Sequence, residues 1–87
     1  MDFLDRMGKV IDYIENNLDG EISNLTIAQI SCCPLHQFGR IFTYVVSIPL
    51  SEYIRRRRLT QAAYDLQSGK YKVIDVALRY GYDSTNS

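Results

Sequence analysis

The 87-residue sequence contains no tryptophan, one histidine, two prolines and five glycines. So little proline and glycine excludes collagen-like and linker-type chains. No apolar run approaches the ~18 residues that a membrane span needs. The N-terminal MDFLDR lacks the basic-then-apolar order of a secretory signal. The expectation is therefore a cytoplasmic chain with no membrane partner. Two adjacent cysteines and His36 are too few for a structural zinc site, which takes about four ligands. No glycine-rich phosphate loop is present. No metal or other cofactor is expected. The length leaves room for one small domain and not for two independent cores.

Net charge is missing too, since ten basic side chains balance ten acidic ones. Their distribution is uneven. Residues 1–33 carry −4 and residues 34–87 carry +4. That separation suits a polyanion-binding face backed by an acidic one, although ordinary solvated charge would look the same. Apolar residues make up 46% and charged residues 23%, a globular and not a disordered composition.

Phe3, Leu4, Met7, Val10, Ile11, Ile14 and Leu18 recur at helical spacing, predicting an amphipathic helix over roughly 3–18. Asp2 suits its N-cap, and Gly20 suits a left-handed stop. A short helix follows near 24–31, opened by Ser23 or Asn24, with Ile27, Ala28 and Ile30 inward. Cys32-Cys33-Pro34 interrupts it, because Pro34 disfavours helix in the residue before it. A third helix runs from Leu35 to Val46. So short a break between two short helices is helix-turn-helix spacing.

On the 35–46 helix, Leu35, Phe38, Ile41, Phe42, Val45 and Val46 fall on one side. His36, Arg40, Thr43 and Tyr44 fall on the other, with no carboxylate among them. A helix that reads duplex DNA in a major groove needs this arrangement. Arginine donates two hydrogen bonds to a guanine edge, whereas carboxylates repel phosphate.

A long helix is expected from about Leu50 to Ser68, with Ile54, Leu59, Ala62, Ala63 and Leu66 as its apolar side. It carries Arg55-Arg56-Arg57-Arg58, the densest charge run in the chain. Arg56 and Arg57 are expected to project away from the apolar side as phosphate contacts, while Arg55 points inward and must snorkel or pair. A last short helix spans 73–80. Here the chain repeats itself at an offset of 49 residues: Ile27-Ala28 then Cys32-Cys33, and Val76-Ala77 then Gly81-Tyr82. Asp83-Ser84 would cap a further helix, but the sequence stops at Ser87.

The segments LSEYIRRRRLTQAAYDL (Leu50–Leu66) and VIDVALRYGYDS (Val73–Ser84) resemble the AraC/XylS family of bacterial transcription regulators, and the likeness extends over nearly the whole chain. The resemblance implies an all-α, AraC-type DNA-binding domain for transcription regulation. Its parts would be a first helix-turn-helix in 1–48, a linker helix in 49–69 and a second helix-turn-helix, cut short, in 70–87. A DNA-binding domain beginning at Met1 is similar to the branch with a GyrI-like effector domain downstream, so effector sensing is implied for a longer relative. Base contacts would fall on His36, Gly39 and Arg40, and phosphate contacts on Gln37, Thr43 and Tyr44. The partner would be double-stranded DNA, with RNA polymerase in a full-length context. Three positions depart from the family pattern. Gly39 replaces a long polar residue, and Cys32 and Ser47 stand where glycine is usual.

Other readings attach to the same residues. Cys32, Cys33 and His36 invite a small metal or redox protein, and His36 alone invites a general base, but no nucleophile accompanies it. The seven tyrosines split into core covers (Tyr13, Tyr53, Tyr64, Tyr80, Tyr82) and partner contacts (Tyr44, Tyr71). Gly39 and the zero net charge fit a helical protein-interaction module that no longer binds DNA. An incomplete second unit would leave Val73, Val76, Ala77, Tyr80 and Tyr82 partly uncovered, favouring either partial disorder after Gly69 or self-association through 73–82.

Overall fold

The computed structural model describes residues 2–81. They form five helices: α1 (Phe3–Glu15), α2 (Asn24–Ser31), α3 (Leu35–Val46), α4 (Leu50–Gln67) and α5 (Val73–Arg79). No strand occurs among the described residues. Residues 82–87, which include Tyr82 and the Asp83-Ser84 cap, lie outside them.

Local chemistry starts α1 to α4 where the sequence indicates. Asp2 accepts the Asp5 N–H at 2.8 Å, and Ser23 accepts the Thr26 N–H at 3.2 Å, so both act as N-caps. Prolines stand immediately before α3 and α4, where their missing N–H costs nothing.

α1 ends three residues earlier than the periodicity suggests. The Asn17 side chain donates to the Tyr13 carbonyl at 2.7 Å, and two tight turns carry the chain to Gly20. Leu18 stays buried. Gly20 does not take the expected left-handed conformation. The Arg58 guanidinium instead satisfies the Leu18 and Gly20 carbonyls, at 3.1 and 2.7 Å.

The core is built from Met7, Val10, Ile14, Leu18, Ile27, Phe38 and Phe42. Phe3, Phe38, Phe42 and Tyr53 stack in a chain of rings with centroids 5.6–6.0 Å apart. α4 covers this core through Leu50, Tyr53, Ile54 and Ala62 and buries no residue completely. Leu59, Ala63 and Leu66, expected on its apolar side, are exposed. Within this stretch Ala62 rests on the core instead.

α5 rests against α4 and adds Val76 and Tyr80 to the core. The Tyr80 hydroxyl donates to Asp65 at 2.7 Å. Burial, followed by the hydrogen bond to that carboxylate, pushes the phenol up to about 12. Val76 and Tyr80 are therefore covered, contrary to the expectation of an open segment. The exposed apolar residues of α5 are Val73, Ile74 and Leu78. Tyr64 is exposed and not a core cover. Tyr71, expected to face a partner, has Arg79 above its ring at 4.4 Å.

Candidate nucleic-acid interface

The turn between α2 and α3 aims the candidate reading helix. Cys32 closes α2 in the left-handed conformation (φ +59°), and Ser47 closes α3 in the same way (φ +75°). Both stand where glycine was noted as usual. A Cβ in this region costs about 1 kcal/mol, so the turns form against a local penalty. The surrounding packing carries it, with Ile27 and Phe38 completely buried on either side.

α3 then turns Leu35, Phe38, Ile41, Phe42 and Val46 to the core. Val45, expected with them, is half exposed. On the opposite wall, His36, Gln37, Arg40, Thr43 and Tyr44 are all exposed, Tyr44 by 90%. Gly39 lies within this wall, and a Cβ built there meets nothing within 4 Å. The Thr43 hydroxyl donates to the Gly39 carbonyl at 2.8 Å, leaving its lone pairs to accept. Between this wall and the start of α4 lies an open groove of about 770 Å³, bordered by His36, Gly39, Arg40, Thr43, Tyr44 and Ser51 among others.

The arginine run is arranged differently from the helical-wheel expectation. Arg57 does not project into solvent. Its Nε and Nη2 reach both oxygens of Glu15 on α1, at 3.0 and 2.8 Å, and the Tyr53 hydroxyl donates to Glu15 at 3.3 Å. The Arg57 hydrogen bonds hold the Glu15 carboxyl below its usual range against the opposing effect of burial. Burial and the Glu15 charge push the Tyr53 phenol up, while Glu15 raises Arg57. Arg57 is thus part of a strut between α1 and α4.

Arg55 does not point inward either. Its side chain is 56% exposed and bonds Glu52 at 2.5 and 2.9 Å, and Arg56, 60% exposed, bonds the same carboxylate at 3.0 Å. These bonds pull the Glu52 carboxyl down to about 2, so it stays charged at any ordinary pH.

Glu15, Glu52 and Tyr53 did not figure in the sequence expectations for this face. Glu52 was recoverable, because it precedes Arg55 and Arg56 by three and four residues. Glu15 lies 42 residues from Arg57 and gives no local signal.

Among the described residues, no three His, Cys, Asp or Glu side chains come together in a way that could hold a metal ion. Cys32 and Cys33 are free thiols engaged within the turn. Cys32 Sγ faces the Gln29 carbonyl at 3.7 Å, and Cys33 Sγ faces the Ser31 hydroxyl at 3.4 Å. No described helix is long and apolar enough to cross a membrane.

A left-handed turn joining two short helices, the second with a carboxylate-free outer wall, defines a helix-turn-helix unit. The fold superimposes on a crystal structure of a transcriptional regulator with an AraC-type DNA-binding domain from Chromobacterium violaceum. The TM-score is 0.82 at 22% identity, over 95% of this chain and 74% of that one. In sequence the chain is 42% identical over 81 residues to the HTH-type transcriptional activator AarP of Providencia stuartii, covering 93% of this chain and 60% of AarP. It is 37% identical over 78 residues to the transposon Tn10 TetD protein of Escherichia coli, covering 90% of this chain and 56% of TetD. The chain is thus a homologue of helix-turn-helix transcriptional regulators and has the AraC-type DNA-binding fold. It spans little more than half the length of these two relatives. No protein-family model matches it.

Proposed function

We propose that this chain binds duplex DNA in transcription regulation, with α3 entering a major groove. The observation that carries the reading is the outer wall of α3, where Arg40 stands exposed among His36, Gln37, Thr43 and Tyr44 with no acidic neighbour on the helix. Arg40 and His36 are the base-reading candidates, and Gln37, Thr43 and Tyr44 the phosphate-contacting ones. Gly39 presents only backbone to the groove. On α4, Arg56 remains a phosphate candidate, whereas Arg57 reaches DNA only by leaving Glu15. The division into 1–48, 49–69 and 70–87 fits this role, with the first unit reading DNA and α4 carrying the second.

The names of AarP and of the solved regulator support a binding role over a catalytic one, and a place in the cytoplasm beside DNA. Contact with RNA polymerase in a longer protein rests on the likeness to an activator. Self-association through 73–82 is supported by the exposure of Val73, Ile74 and Leu78.

The test is a fluorescence-anisotropy titration of the chain against mixed-sequence duplex DNA at several salt concentrations, alongside Arg40→Ala. Binding should weaken steeply with salt. Arg40→Ala should lower affinity about tenfold. Equal binding by both proteins would remove α3 from the interface.

A further inference from the structure

The arginine run adjoins the reading wall through a continuous surface. Asn24, Ser51 and Ile54 border the groove beside Arg40, and they also border the neighbouring hollow that contains Arg55. At the Arg55 edge of that surface one carboxylate engages two cations. Glu52 accepts two bonds from Arg55 and one from Arg56. Its two oxygens occupy the Arg55 fork as the oxygens of a phosphodiester would, and one of them also accepts from Arg56 Nε. Both arginines are more than half exposed, so the bonds form in water and exchange readily.

We propose that Glu52 acts as an internal phosphate mimic that restrains Arg55 and Arg56 and thereby sets how strongly this chain grips a nucleic-acid backbone. The inference deepens the duplex-DNA reading and rests on it. A polyanion must displace Glu52 before it gains these two cations. Protonation does not help at ordinary pH, because the carboxyl is held at about 2. Glu52 therefore lowers sequence-independent affinity while leaving the contacts of α3 alone, which raises the share of binding that depends on sequence.

The experiment compares Glu52→Gln with the unaltered chain on mixed-sequence duplex DNA across a salt series, with circular dichroism confirming equal helix content. Glu21→Gln serves as the charge control, since exposed Glu21 borders the same hollow as Arg55. Glu52→Gln should bind about three- to tenfold more tightly at low salt and steepen the salt slope by one to two units. Glu21→Gln should produce a smaller change. In an Arg55→Ala/Arg56→Ala background, Glu52→Gln should have no more effect than Glu21→Gln.

Equal gains from Glu52→Gln and Glu21→Gln, or a gain that survives loss of both arginines, would overturn the proposal in favour of bulk charge. If Arg40→Ala weakens binding and Glu52→Gln changes nothing, the DNA reading stands and the Glu52 role falls. If Glu52→Gln tightens binding and Arg40→Ala has no effect, the restraint stands and α3 is not the reading helix. Failure of all these proteins to bind at low salt would overturn both. If Glu52→Gln loses helix content, Glu52→Asp provides the same comparison: its shorter side chain keeps the charge and weakens the fork, so a gain there supports restraint and no gain overturns it.

Discussion

Ile27 in α2 and Val76 in α5 lie 49 residues apart, and both are enclosed. Each is followed five residues later by a left-handed turn residue, Cys32 at φ +59° and Gly81 at φ +83°. The two segments thus share a backbone pattern, but their neighbours differ. α1 and α3 enclose Ile27. Val76 is enclosed by a helix that packs chiefly on α4, leaving Val73, Ile74 and Leu78 of that helix between 59% and 71% exposed. Backbone shape follows from local sequence in both halves, whereas enclosure depends on what packs across the helix. The well-enclosed half can hold a cysteine in a strained turn. The half containing α5 has glycine there and adds polar fastenings, Tyr80 and Arg79 to Asp65 and Arg79 over Tyr71.

The difference should be largest in the core. Phe42→Ala should cost about 3–5 kcal/mol in urea unfolding, since it empties a completely enclosed aromatic site. Val76→Ala should cost about 1–2 kcal/mol, with faster amide exchange confined to residues 73–80. Equal costs with global loss of protection would mean that the two halves fold as one cooperative body. The turn residues should respond with opposite signs. Gly81→Ala should destabilise by about 1 kcal/mol, and Cys32→Gly should stabilise by up to about 1 kcal/mol, both read from thermal melts.

Smaller effects sharpen the contrast. Tyr80→Phe should cost about 0.5–1 kcal/mol by deleting the bond to Asp65, and it should loosen α5 without altering exchange in α1–α3. The Glu15–Arg57 strut should appear in the pH dependence. The Glu15 carboxyl is lower in the folded than in the unfolded chain, so its contribution is full above the unfolded value and disappears as pH falls through the folded one. Glu15→Gln should therefore narrow the stability gap between neutral and acid pH by less than about 1 kcal/mol, as expected for a partly exposed pair. An unchanged acid limb would mean that the strut adds nothing.

Much of this fold was legible in the sequence because its signals are local. Caps at Asp2 and Ser23, prolines at Pro34 and Pro49 and the periodicity of α3 place the helix starts that set the outer wall of α3. What escaped depends on chain segments far apart. A helical wheel of α4 sends Arg57 outward, because the wheel contains no Glu15. The helix-stop signal at Gly20 likewise suggests a left-handed conformation, because Arg58 is 38 residues away. Leu59, Ala63 and Leu66 look like core on the wheel, but here α4 meets the core through Ala62 and leaves them exposed. The outer wall of α3 could be read because a helix surface is set by its own sequence. The partnering of the arginines required the tertiary structure.

The fastening of α4 to α1 makes the long helix act as a rotary ruler. Tyr53, Arg57 and Arg58 lock its first turns to the first unit, and Asp65 near its far end holds Tyr80. Between Arg58 and Asp65 the helix shaft touches the core through Ala62. Each residue of that shaft turns whatever follows by about 100° and advances it by about 1.5 Å. One inserted residue would swing α5 to a different side of the molecule while leaving both ends intact. Four would return it to within about 40° of its original bearing, displaced by about 6 Å. The number of residues between Arg58 and Asp65 thus fixes the phase at which α5 faces the α1–α3 core.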